Sequence, residues 1–258
     1  MRTAAAVALV LAGLIAAGAA DNPEISSARA AQRTAFSDAE VADGFFKTAF
    51  GAELPLGKQL SRIRKFDGPV RVYVDGAALP DRRGEIAAIV ADIRARVRHL
   101  DIALTGERAA ANMVVTLVRD RDLARTIARL YGPQRALQIQ TSLEPQCLSA
   151  FRRDEADRIV HSDVILAADT SDFVFYDCAY EEMLQALGPI NDTDTVPWTM
   201  FNDAVHMGFF DVYDQYILNI LYDPRIRPGM DTDTVRALLP QVLRDVRPWV
   251  ASVNGLAR

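Results

Sequence analysis

From Ser37 onward the apolar residues recur in two alternating periods, one near 3.6 and one of 2. Ser37-Asp38-Ala39-Glu40 carries the serine and glutamate of a capping box, and Val41, Phe45, Phe46, Ala49 and Phe50 follow at helical spacing, so a first amphipathic helix is predicted there, closed by Gly51 and Pro55. Residues 69–75 (P-V-R-V-Y-V-D) alternate, with Val70, Val72 and Val74 on one face, as a half-buried strand does. Over 84–100, Ile86, Ile89, Val90, Ile93 and Val97 repeat at helical spacing, which predicts a long helix. Residues 101–105 and 112–118 then read as two strands, the second apolar enough to be central. A short helix over 122–131 ends at Gly132-Pro133, one or two strands fill 158–168, and a helix follows over 178–187. Further helices are predicted over 213–222, stopped by Asp223-Pro224, and over 232–246. The order implies an α+β fold: a mixed, twisted sheet with the long helix and the 178–187 helix on one face, and a mainly helical C-terminal part.

The start of the chain changes the setting. Met1-Arg2, an almost unbroken Ala/Val/Leu/Ile/Gly run and Gly18-Ala19-Ala20 before Asp21 have the form of a cleaved signal peptide over 1–20. The run is shorter than the roughly 20 residues a spanning helix needs, so no transmembrane anchor is expected after cleavage. A polar stretch over 21–34 reads as a flexible linker, and 35–250 as a single domain. The expected location is periplasmic or secreted. There, Cys147 and Cys178 are expected to pair.

Charge adds little. The formal net charge of −5, with both signs interspersed, does not suggest a nucleic-acid partner. The two basic clusters, Arg62-Ile63-Arg64-Lys65 and Arg94-Ala95-Arg96-Val97-Arg98, read as solvated faces.

The chemistry concentrates in residues 181–192, E-E-M-L-Q-A-L-G-P-I-N-D. This run resembles the active-site helix of metzincin zinc peptidases, H-E-x-x-H-x-x-G-x-x-H, with Glu181, Gln185 and Asn191 standing where the three imidazoles would be. Glu182 keeps the position of the general base, and Gly188 that of the helix-ending glycine. Met200, within P-W-T-M-F, resembles the methionine of the turn beneath the metal in that family; Met200 and Trp198 read equally well as core residues. Helix, strand, long helix, strands and motif helix is also the order the resemblance implies.

A closer resemblance is to a proteobacterial family of secreted proteins and lipoproteins catalogued as domain of unknown function 2927. It is carried by E-E-x-x-Q-A-L-G-x-x-N-D, by F-N-D and by L-Y-D-P-R-x-R-P-G-M over 221–230. The resemblance implies secretion and a metallopeptidase-like fold but no reaction. This chain lacks the acylated cysteine of the lipoprotein members.

Three chemistries are compatible with the motif. Zinc prefers imidazole and thiolate, and the amides of Gln185 and Asn191 are poor substitutes, so no metal is expected in the usual mode. Glu181, Asp192 and Asp194, with Asn191 and Gln185, could present oxygens to Ca²⁺, although 191–194 is also plain turn composition. In the favoured reading a metal-free network replaces coordination: Gln185 donates to Glu181, and Asn191 bonds to both. Of His99, His161 and His206, only His206 is placed to approach the site. The expected function is a non-catalytic binding protein of the cell envelope that takes a peptide or envelope partner in the former substrate cleft, with Glu181, Gln185, Asn191, Asp192 and Met200 lining it. The alternatives are an atypical hydrolase of a peptide or glycan bond, using Glu182 with an unusual Ca or Zn site or with none, and a purely structural protein.

Overall fold

The computed structural model describes residues 22–50, 62–134, 136, 137, 139 and 146–256. The signal-peptide segment and the Gly51 and Pro55 helix stop lie outside them. Five strands form one sheet: β1 (Val70–Asp75), β2 (Ile102–Leu104), β3 (Met113–Val118), β4 (Cys147–Arg153) and β5 (Ile159–Ala167). Their spatial order is β2-β1-β3-β5-β4, all parallel except β4, which runs antiparallel to β5. The central place of β3 follows from M-V-V-T-L-V, in which all six residues are buried because both faces of the strand are covered.

Among the described residues seven α-helices surround this sheet: α1 (Pro23–Ala31), α2 (Asp38–Ala49), α3 (Arg83–Arg96), α4 (Asp120–Tyr131), α5 (Asp172–Gln185), α6 (Val212–Leu221) and α7 (Thr232–Val253). Ser37 and Glu40 close the predicted capping box at α2. The long helix α3 and the motif helix α5 lie on one face. Ile86, Ile89 and Ile93 share a core cluster there with Phe175, Ala179 and Met183, and Tyr180 Oη of α5 donates to Asp92 Oδ2 of α3 at 3.1 Å. On the other face Leu123 and Ile127 of α4 pack with Leu148 and Ile165. Helices α2, α6 and α7 join the larger cluster through Phe45, Ile217 and Val242. No helix among the described residues is long and apolar enough to cross a membrane.

Three expectations change. Residues 23–31, expected within a flexible linker, form α1, capped by Asn22 and pinned by a fully buried Ile25. Strand β4 was not predicted, whereas 158–168 holds one strand, within the one or two expected. Arg64 and Lys65 are buried rather than solvated. Lys65 Nζ donates to Leu221 O at 2.8 Å and Asp223 O at 3.4 Å, so a cation meets the carbonyl end of α6. Burial, only partly offset by Asp67 and Asp223, lowers its pKa to about 8.

Candidate functional site

The site is built on α5. Ser171 caps the helix by accepting from Val174 N, and Phe175, Ala179 and Met183 take the face turned to the sheet. Asp177, Glu181 and Gln185, spaced i, i+4 and i+8, therefore fall on the other face, with Val174, Cys178 and Glu182 beside them. The turn that follows the helix closes at Gly188, whose N–H donates to Gln185 O and whose φ is +141°. A Cβ at this position would stand 2.4 Å from the Arg64 carbonyl oxygen, so only glycine lets the chain turn back here. That turn returns Asp192 to the helix, where it accepts from Gln185 Nε2 at 2.6 Å.

A second segment closes the site. Asp214 on α6 accepts from Thr199 Oγ1 at 2.5 Å and from Met200 N at 2.8 Å, which fastens the turn after residue 196. The next residues bring Asp203, Val205 and His206 to the rim. Asp177 holds them there, accepting from Met207 N at 2.7 Å and Gly208 N at 3.1 Å and pairing with His206 Nδ1 at 2.8 Å. The disulfide between Cys147, at the start of β4, and Cys178, in the middle of α5, forms the facing wall. Together these residues line a cleft of about 420 Å³.

The cleft is dominated by carboxylates. Asp177, Glu181, Glu182, Asp192 and Asp203 all face it, and His206 is the one basic side chain among its lining residues. Single oxygens of Glu181, Asp192 and Asp203 lie within 4.8 Å of one another. Burial and then repulsion from Glu182, Asp192, Asp177 and Asp203 push the Glu181 carboxyl up to about 10, so it holds a proton at neutral pH. Glu182 is deeper, 7 % exposed, and Gln185 is 3 % exposed.

Glu181, Glu182, Gln185 and Asp192 of the expected site thus converge. Asn191 and Met200 do not join them. Asn191 donates its amide to Lys47 O at 2.7 Å and Asp192 O at 3.1 Å, tying the returning loop to α2. Met200 is a buried core residue whose backbone N–H donates to Asp214, and it does not line the cleft. Gln185 finds Asp192 rather than Glu181, and Asp203 rather than Asp194 completes the oxygen cluster. Asp177 was legible one turn before Glu181. Asp203 was not, because eleven residues and a turn separate it from Asp192.

The profile of a family described as Protein of unknown function (DUF2927) matches residues 38–241. The chain belongs to that family. Comparison with curated proteins and with solved structures yields no match. The DUF2927 match spans the whole sheet, α5, the cleft and the disulfide, whereas α1 lies before it.

Proposed function

We propose that this DUF2927 domain is a metzincin-like, non-catalytic binding domain of the cell envelope, and that its cleft takes the cationic side chains of a peptide or protein partner. The observation that carries the reading is the convergence of five carboxylates on one cleft with only His206 to oppose them. Burial and then the neighbouring carboxylates keep Glu181 protonated; a cationic ligand offsets the repulsion, so binding releases a proton and tightens as pH rises. The metzincin-like part is supported by the element order, by the placing of α3 and α5 on one face, and by the glycine turn after α5. Zinc in the peptidase manner fits poorly: Gln185 is engaged with Asp192, and the Asn191 amide is bonded to Lys47 O.

The test is calorimetric titration with a tri-lysine or tri-arginine peptide, and with a tri-glutamate peptide as control. Saturable binding of the basic peptides alone, weakened roughly tenfold or more in Glu181→Gln/Asp203→Asn, is the expected result. Equal binding of both peptide types, or none of either, would sink it.

One observation favours a second reading. The oxygens of Glu181, Asp192 and Asp203 suit a hard cation such as Ca²⁺, beside which Glu182 could serve as a base in hydrolysis of a peptide or glycan bond. Calcium titration of the metal-stripped protein separates the two: a stoichiometric transition lost in Asp203→Asn supports the second reading over the first.

A further inference from the structure

Strand order and helix placement create a second crevice remote from the acidic cleft. The chain leaves β1 through α3, on the face shared with α5, and arrives at β2 on one side of β1. It leaves β3 through α4, on the opposite face, and heads for β4 and β5 on the other side. The two adjacent parallel strands β1 and β3 therefore send their carboxyl ends in opposite directions. In open sheets of this kind such a switch point is where small ligands bind, because no connection covers the gap.

A pocket of about 420 Å³ occupies this gap, and it shares no residue with the cleft. Its floor is tight. Gly76 follows β1 with φ +97°, and a Cβ there would lie 2.2 Å from Leu117 O, so the β1 end can sit against β3 only because residue 76 is glycine. Its walls carry two arginines, Arg119 at the end of β3 and Arg129 two turns along α4. Neither has a carboxylate within ion-pair distance among the described residues. The two acids that also line the pocket are already matched: Asp75 pairs with Arg108, and Asp122 with Arg125 and Arg121. The local balance is thus positive, with two guanidinium groups left to meet an anion. The helix end itself is engaged, since Asp169 Oδ1 accepts from Asp120 N at 2.7 Å.

We propose that this crevice is a binding site for a small phosphorylated ligand, its phosphate held by Arg119 and Arg129 and its hydroxyl groups met by Asp75 and Thr126. Guanidinium groups suit a phosphate because each offers a planar fork of donors to two of its oxygens. The Thr126 hydroxyl donates to Asp122 O and keeps its lone pairs for a ligand hydroxyl.

The test is calorimetric titration of the folded protein with glycerol 3-phosphate and with inorganic phosphate, using glycerol as the uncharged control. Saturable binding of glycerol 3-phosphate, absent for glycerol and weakened roughly tenfold or more in Arg119→Ala/Arg129→Ala, is expected. Both arginines are exposed, so the double variant keeps its fold, which its melting temperature verifies. A second double variant, Arg94→Ala/Arg98→Ala, removes the same charge elsewhere and should leave binding unchanged. No saturable binding of either phosphate, binding undiminished in the first double variant, or equal loss in both variants would each overturn the proposal.

Discussion

The side-chain amide of Gln185 donates to Asp192 Oδ1 at 2.6 Å, across the Gly188 turn and seven residues along the chain. The bond joins the last turn of α5 to the returning loop, and Ser149 Oγ reaches the other end of the same amide at 3.4 Å. Gln185→Leu keeps much of the volume but removes the donor that faces Asp192. A loss of roughly 1–3 kcal/mol is expected in denaturant melts. Gln185→Glu adds a sixth carboxyl group to the cleft and should also destabilise, increasingly so as pH rises. Wild-type stability in both would mean that the pair does not hold the loop.

Glu181 makes stability depend on pH. Its folded pKa of about 10 lies above the ordinary carboxylate value, so the folded state holds a proton that the unfolded state releases. The stabilising contribution is complete below pH 4.5 and is lost as pH rises towards 10. Glu181→Gln removes the titration and should gain about 4–5 kcal/mol over wild type by pH 8, with little difference at pH 4. Urea melts at the two pH values measure it, and a constant difference would show that Glu181 does not titrate in this way.

Asp211 and Asp214 form a fully buried pair at the start of α6. Burial and the neighbouring Asp214 raise the Asp211 carboxyl well above its usual range, so it stays protonated; burial raises Asp214 too, against the hydrogen bonds it accepts from Thr199 and Met200. Asp214→Ala leaves Thr199 Oγ1 and Met200 N without their acceptor and should cost roughly 3–5 kcal/mol. Asp211→Asn keeps an N-cap acceptor and a neutral donor, and should cost less than about 1 kcal/mol. Comparable losses in the two variants would contradict the protonated state assigned to Asp211.

The Cys147–Cys178 disulfide closes a loop with a sequence separation of 31 residues. Closure of this size stabilises by on the order of 3–4 kcal/mol, so reduction should lower the melting temperature by about 10 °C. It should also loosen the cleft wall formed by β4 and α5. Thermal melts with and without reductant read the first effect, and amide exchange across 146–151 the second.

Much of this was legible in order. Local signals determined the elements: the Ser37/Glu40 box set the start of α2, the Ile86-Ile89-Val90-Ile93 repeat set α3, and six consecutive apolar or small residues marked β3 as the central strand. Glu181, Glu182, Gln185 and Gly188 could be placed on one helix and its stop, because residues within a few turns share a face by backbone geometry alone. Strand β4 escaped because an edge strand rich in Ser, Ala and Arg has no strong alternation to betray it.

What only the tertiary structure decided is which groups meet across long separations. Asp192 and Asp203 share the Glu181 oxygen cluster, Asn191 turns to Lys47 and leaves the site, and Arg64 and Lys65 are buried although their sequence reads as a solvated run. A sequence determines local pattern through spacing along one helix or strand. Whether a lysine faces water or the carbonyl end of α6, and whether five acids stand apart or crowd one cleft, depends on how separate elements pack, and no local period encodes that.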